Sequence, residues 1–439
     1  MSDQTLRRIA IVGGARIPFC RSNTLYADMT NLQMLTTALQ GVVDKYDLGG
    51  ALIDEVTGGA VVTHSRDWNI AREAVNGTTL NPNTPGVTMM QACGTSLQAA
   101  MGIGAKIATG AIESGIACGT DTTSDAPIVF SKKFSKRLIE IGKAKSTGAK
   151  ISQLKGFSPG ELAPQPPSTN EPRTGMSMGQ HCELMAQQWK IPRDEQDELA
   201  YESHTKAEEA YASGFMDDLL VPCNGVYKDN NIRADISKEK LAELRNAFER
   251  SDRGTLTAAN STPLTDGASA ILLCSEEWAA ARGLPVLAYM TYSQHAAIDY
   301  LAGRGLLMAP TIAVSKMLER AGITLQDFDF YEIHEAFAAQ VLCTLKAWED
   351  ADFCKEVLGR ETPLGSIDRA KLNVRGSSLA FGHPFAATGG RILATLAKTL
   401  ADKGGRGLIS VCTAGGMGVT AILESANAAE KQSDMPKAA

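Results

Sequence analysis

The sequence predicts an α/β fold made of two similar halves, with a charged helical insertion interrupting the first. Three observations carry this. Short apolar runs alternate with longer Ala- and Leu-rich segments from Arg8 to Val75 and again beyond Gly254. One kind of corner recurs: Cys93-Gly94, an Ala-rich helix and a strand at 115–118 resemble Gly382-His383, a helix over 386–400 and a strand at 407–412. Between them the composition shifts to basic, proline-rich and then acidic helical segments. The expected organisation is an N-terminal half over 1–125, an inserted loop domain over 126–250, the end of the N-terminal half over 251–285, and a C-terminal half over 286–439. Two βα corners of this kind can meet face to face, one bringing Cys93 and the other His383 and Cys412.

In chain order, residues 8–12 form a short buried strand that Gly13-Gly14 closes as a turn. That pair lacks the GxGxxG spacing of a dinucleotide site. A helix over 31–46, a strand over 55–63, a helix from 69, a strand over 86–90 and a helix over 96–109 follow, and then the strand at 115–118. Next comes a basic stretch: Lys132, Lys133, Lys136, Arg137, Lys143, Lys145, Lys150 and Lys155 face only Glu140, with Phe130, Phe134, Leu138, Ile139 and Ile141 interleaved. Such a segment suits a partner subunit, a membrane face or an anionic cofactor, and equally a solvated insertion. Residues 159–172, bounded by Pro159 and Pro172 with Pro164, Pro166 and Pro167 between them, read as a loop. Helices are expected over 178–186, 193–213 and 238–248, the second opened by Asp194 and Glu195 at its positive end. Strands over 268–274 and 286–292, a helix from Pro310 to 321 and a strand over 328–334 restore the α/β pattern.

The totals exclude several classes. With 44% hydrophobic and 21% charged residues among 439, a sizeable core is available. A net charge of -6 argues against a nucleic-acid surface. No apolar run reaches spanning length and the start shows no basic-then-apolar signal-peptide pattern, so a soluble, cytoplasmic protein is expected. Nine scattered cysteines without a CxxC pair disfavour a disulfide framework and a zinc site, so no metal is expected.

Chemistry concentrates at the corners. A cysteine opening a helix meets unpaired N–H groups and the positive dipole end, which favour thiolate and can hold an oxyanion. Gly382-His383-Pro384 fixes an imidazole that can take the thiol proton. Cys412-Thr413-Ala414-Gly415-Gly416 is a buried strand entering a glycine-rich turn, where Cys412 can move a proton. Glu332-Ile333-His334-Glu335-Ala336-Phe337 adds an imidazole and carboxylates. Singly, each also fits a bland role: a core thiol, a turn histidine, a core hydrogen bond.

As an ordered set they resemble the thiolases, whose signatures are Cys-Gly before a buried helix, an (Asn/His)-Glu-Ala-Phe turn, a Gly-His-Pro corner and a terminal Cys-x-(Gly/Ala)-Gly-Gly turn. Thr257-Ala258-Ala259-Asn260-Ser261-Thr262 and Asp266-Gly267-Ala268 match a further family segment, so the likeness runs from about Arg8 to Glu424. His334, where thiolases commonly carry Asn, and Ala414, where they carry Gly, resemble the β-subunit branch of the fatty-acid oxidation multienzyme. The resemblance implies a thiolase fold, two pseudo-symmetric halves stacked as α-β-α-β-α layers. It implies that Cys93 is the nucleophile, His383 its base, Cys412 the second acid/base, and His334 the holder of a water. The N–H groups of Cys93 and Ala414 would form the oxyanion hole, and Met178, Ala258, Thr262, Ala336 and Phe337 would line the CoA arm. It implies CoA as substrate with no permanently bound cofactor, a homodimer or homotetramer, and a hydratase/dehydrogenase α-subunit as partner. The activity implied is thiolytic cleavage of 3-ketoacyl-CoA. A biosynthetic acetoacetyl-CoA thiolase and an inactive scaffold subunit are the alternatives. A ketosynthase pairs its cysteine with two histidines, whereas a second cysteine stands here at 412.

Overall fold

The computed structural model describes residues 6–426 and residue 428. Residues 1–5, 427 and 429–439, the outer ends of the two expected halves, lie outside the described residues. The strands are β1 (Ile9–Arg16), β2 (Cys20–Arg21), β3 (Glu55–Gly59), β4 (Gly86–Thr88), β5 (Ser114–Asp121), β6 (Thr265–Ser275), β7 (Ala288–Ala297), β8 (Phe330–Ile333), β9 (Arg406–Thr413) and β10 (Met417–Glu424). Their order is β4-β3-β5-β6-β1-β7-β10-β9-β8, with β2 paired to β6 off this path.

The duplication expected from the sequence is written in the wiring. In the first half β3 runs parallel to β5, and β6 lies antiparallel between β5 and β1. In the second, β8 runs parallel to β9, and β10 lies antiparallel between β9 and β7. The halves join where β1 meets β7, through Ala10–Tyr289 and Ile11–Ala288. A parallel pair needs a long crossover, and in each half it contains a helix that packs at the centre, Thr95–Ala108 or Thr388–Lys403.

Strand alternation then assigns the layers. Ile11, Ala117, Ile271, Ile409, Val411 and Val419 point inward and share one apolar cluster with Leu97, Ile103, Ile392 and Leu396 of the two central helices. Val12, Ile116 and Leu272 point the other way, onto Leu35, Leu39 and Val42 of the helix Asn31–Lys45. On the second half, Leu408, Ile422 and Ile333 meet Val314, Leu318 and Val341 of the helices Ala309–Ala321 and Ala338–Glu349. The result is the α-β-α-β-α stack. The central helices touch so closely that a Cβ on Gly389 would come within 2.8 Å of the Leu97 Cβ, so the position requires glycine.

Four local expectations fail for identifiable reasons. The Gly13-Gly14 turn is absent, because β1 continues to Arg16 through a bulge between Ile11 and Gly13 with Gly13 at φ +139°. The strand expected to reach residue 63 stops at Gly59; the N–H groups of Val61 and Val62 donate to the Asp121 carboxylate instead of a neighbouring strand. The helix over 238–248 ends at Ala242, since the Arg193 guanidinium takes the carbonyls of Leu241 (2.6 Å) and Leu244 (3.2 Å). The helix over 386–400 begins only at Thr388: Gly382 at φ +99° and Pro384 separate it from a single turn, Ser378–Phe381.

The insertion is uneven. Helices Met178–Gln188 and Arg193–Ala212 bury Cys182, Met185, Leu199, Ala200 and Ala207 in the body of the protein. Helices Lys132–Lys143 and Thr147–Ser152 bury no residue at all. Their basic residues face one more acid than the local sequence suggests, because Glu161 pairs with Arg137 (3.1 Å) and Lys133 (2.9 Å). Among the described residues no helix is long and apolar enough to cross a membrane.

Candidate active site

Cys93 follows a strained corner. Ala92 adopts φ +45°, uncommon for a residue with a Cβ. Thr95 pins it: its hydroxyl accepts from the Gln91 N–H (2.9 Å) and donates to the Ala92 carbonyl (2.8 Å). The half-buried sulfur of Cys93 interacts with two backbone N–H groups, its own and that of Ala414. The sequence argument expects these to depress the thiol pKa, and here it is overturned. Burial, reinforced by the Asp121 carboxylate, outweighs both N–H groups and pushes the Cys93 thiol up to about 12. Cys93 rests as a thiol and needs a base.

The base comes from the other half. His383 Nε2 lies 3.1 Å from Cys93 Sγ, and its Nδ1 lies 2.7 Å from the Thr388 hydroxyl at the start of the second central helix. Its backbone N–H donates to Thr265 Oγ1 (3.1 Å). Burial, with the Arg391 charge adding, pushes His383 down to about 3, so the imidazole is neutral. With Nδ1–H toward Thr388, the Nε2 lone pair faces the thiol. A neutral thiol against a neutral imidazole passes its proton only as sulfur attacks.

His334 stands beside this pair. Its Nε2 is 3.3 Å from His383 Nε2, and its Nδ1 is 3.0 Å from Ser378 Oγ, which also accepts from Arg391 (2.7 Å). Burial, His383 and Arg391 together hold His334 well below the usual imidazole range. The next residue, Glu335, is buried and receives Asn373 Nδ2 (2.7 Å), Ser203 Oγ (2.7 Å) and the Leu379 N–H (3.1 Å). It ties β8, the helix Arg193–Ala212 and the turn before His383 into one frame. Cys412 is buried near the end of β9; burial first, and then proximity to Cys93, raise its thiol well above the ordinary value. The turn after it is fixed from outside: the Gly415 N–H donates to Glu171 Oε1 (2.8 Å). Among the described residues, Cys93, His334 and His383 are the group whose ligand atoms could hold a metal ion.

Comparison with known families agrees with this geometry over the whole fold. Residues 9–277 match the thiolase N-terminal domain and residues 284–425 the thiolase C-terminal domain. The chain belongs to the thiolase family. It is 43% identical over 424 residues to a 3-ketoacyl-CoA thiolase of Shewanella baltica, covering 95% of this chain and 97% of that protein. A 3-ketoacyl-CoA thiolase of Vibrio cholerae is 42% identical over the same extent. Among solved structures, an acetyl-CoA acetyltransferase of Bacillus anthracis superposes with a TM-score of 0.79 at 28% identity, over 96% of this chain and all of the other. Human mitochondrial 3-ketoacyl-CoA thiolase does so at 0.78 and 25%, over the same shares.

In this thiolase the residues singled out for the CoA arm are arranged as follows. Thr262 donates through its N–H (3.1 Å) and hydroxyl (3.0 Å) to the Ala336 carbonyl. Phe337 packs edge-on against Phe248, ring centroids 5.9 Å apart. Met178 abuts the same apolar cluster as Ala336, Phe337 and Cys412, while Ala258 is exposed on its loop. Sequence reasoning missed Thr388, Ser378 and Arg391, which orient the two imidazoles, and Asp121, which sets the field at Cys93. Thr388 and Ser378 flank the Gly382-His383-Pro384 corner, where a hydroxyl near a histidine was the available signal. Arg391 in a helix and Glu171 in a proline-rich loop carried none.

Proposed function

We propose that this thiolase cleaves 3-ketoacyl-CoA with CoA, as a degradative enzyme of fatty-acid oxidation. The observation that carries the reading is the thiol–imidazole pair of Cys93 and His383 with two N–H groups converging on the sulfur. Cys93 attacks the 3-keto carbon while His383 Nε2 receives the thiol proton, and the N–H groups of Cys93 and Ala414 take the oxyanion. The C2–C3 bond breaks, the acyl group stays on Cys93, and Cys412 protonates the acetyl-CoA enolate at carbon, with His334 holding a water at its oxygen. Cys412, now thiolate, takes the proton of incoming CoA, whose sulfur displaces the acyl group from Cys93 as His383 returns its proton to the departing Cys93 sulfur. Substrate and product thioesters balance, and the enzyme returns to its starting protonation. Met178, Ala258, Thr262, Ala336 and Phe337 hold the CoA arm, and no other cofactor enters.

Near full-length identity to 3-ketoacyl-CoA thiolases favours this direction over condensation of two acetyl-CoA. The test is the thiolysis rate on acetoacetyl-CoA and on a long-chain 3-ketoacyl-CoA, for wild type and Cys93→Ala. The expected result is a faster long-chain rate that falls about 10⁴-fold or more in the variant; activity confined to acetoacetyl-CoA would move the assignment to the biosynthetic enzyme. The free cysteines support a reducing, cytoplasmic setting. A homodimer or homotetramer, and docking of a hydratase/dehydrogenase α-subunit on the basic helix Lys132–Lys143, complete the proposal. Charge reversal at Lys132, Lys133 and Lys136 should abolish capture of that subunit, and undiminished capture would refute the docking.

A further inference from the structure

The assignment of Cys93, His334 and His383 as reacting groups leads to a second use of the same atoms. We propose that they bind a soft divalent metal ion, zinc in the first instance, which reversibly shuts the enzyme off. Cys93 Sγ, His383 Nε2 and His334 Nε2 all lie within 4.8 Å of one another. The sulfur is 3.1 Å from His383 Nε2, and the two Nε2 atoms are 3.3 Å apart. A tetrahedral ion with Zn–N of about 2.0–2.1 Å and Zn–S of about 2.3 Å sets two nitrogens roughly 3.3–3.4 Å apart and nitrogen from sulfur roughly 3.5–3.6 Å. Two of the three pairs therefore reach these separations by opening no more than about 0.5 Å, and the third, Cys93 with His334, already within 4.8 Å, needs a shift of about an ångström at most.

The far sides of both rings are already braced as a metal site requires. A ligating imidazole holds its other nitrogen against an oxygen, which fixes the ring and the tautomer. His383 Nδ1 does this with Thr388 Oγ1 at 2.7 Å and His334 Nδ1 with Ser378 Oγ at 3.0 Å, so both Nε2 lone pairs can face the sulfur. One thiolate and two imidazoles form a donor set that selects zinc over magnesium or calcium, which take oxygen ligands. His334 makes the difference, because an asparagine amide there would leave only two good ligands. Cys93 is only half-buried, so the fourth coordination place would fall to a solvent molecule. On binding, the Cys93 thiol releases its proton to solvent and its sulfur becomes a ligand, so it no longer attacks.

The test uses the full-length reduced enzyme, freed of metal, with Co²⁺ as spectroscopic probe and Zn²⁺ as competitor. One Co²⁺ per chain is expected, with a thiolate-to-cobalt charge-transfer band, the intense d–d bands of four-coordination, release of one proton and protection of Cys93 from iodoacetamide. Zinc should displace it, abolish thiolysis, and be reversed by EDTA. Cys93→Ser should lose the charge-transfer band, and His334→Asn should weaken binding by more than the about 10–100-fold that loss of a ligand's hydrogen-bond partner costs, the range expected for Ser378→Ala. No charge-transfer band in wild type, or binding undiminished in both Cys93→Ser and His334→Asn, would overturn the site. Thiolysis assayed in EDTA keeps the two readings apart. Activity without cobalt binding removes only this inference, and cobalt binding without activity removes only the functional one.

Discussion

The catalytic centre and the basic helix Lys132–Lys143 are opposite ways of using a polar side chain. Around Cys93 each imidazole nitrogen has a partner: Thr388, Ser378, the thiol, or the other imidazole. The basic helix buries nothing, and Ile128, Val129, Phe130 and Ile139 near or on it are more than half exposed. Burial gives the first region its chemistry, because removing solvent keeps thiol and imidazole neutral and makes each hydrogen bond decisive. Exposure gives the second freedom to match a surface at no cost to the chemistry. Glu171, in the proline-rich loop that follows the basic helices, holds the Gly415 N–H beside the Cys412 turn.

Mutations should separate the two regions by size of effect. His383→Gln should lower the thiolysis rate about 10²–10⁴-fold, the range for a general base, with the thermal midpoint little changed; a loss under tenfold would mean that another group takes the thiol proton. The buried imidazoles also fix a pH window. Unfolded, His383 takes up a proton near pH 6.5, whereas folded it does so only near 3. Its contribution to stability is therefore complete above 6.5 and is lost as pH falls toward 3, and His334 acts in the same direction. The thermal midpoint should drop across that window in wild type and drop less in His383→Gln. Glu171→Ala removes the hydrogen bond to the Gly415 N–H and should lower the rate roughly 3–10-fold, the worth of one hydrogen bond. Reversing the charges of Lys132, Lys133 and Lys136 should leave thiolysis within about twofold, as for solvated side chains; a larger change would mean the basic helix reaches the acyl site.

Much of this was legible before the structure. Alternating apolar runs and the repeated corner gave the duplicated α/β fold, because parallel strands with buried crossover helices leave a periodic apolar record. Cys93, His383 and Cys412 stood out because tight corners are spelled in Gly and Pro, and His334 because it opens the His-Glu-Ala-Phe motif. The thiol pKa was misjudged, since a helix end is visible in sequence and the burial and Asp121 charge that outweigh it are not. Arg391 and Glu171 were illegible for a related reason. Their partners, Ser378 and Gly415, are 13 and 244 positions away, and no local pattern records a hydrogen bond formed by folding. The 238–248 helix was cut short in the same way, by Arg193 reaching across from another helix.

The central claim is that Cys93 carries the acyl group after the base from the other half takes its proton. The direct measurement is intact and peptide mass spectrometry of the enzyme mixed with a long-chain 3-ketoacyl-CoA in the absence of free CoA. The account predicts one acyl adduct, two carbons shorter than the substrate's chain, on the Cys93 peptide, released on adding CoA and absent in Cys93→Ala. An adduct on Cys412 instead, or none in an enzyme that still turns over, would contradict it.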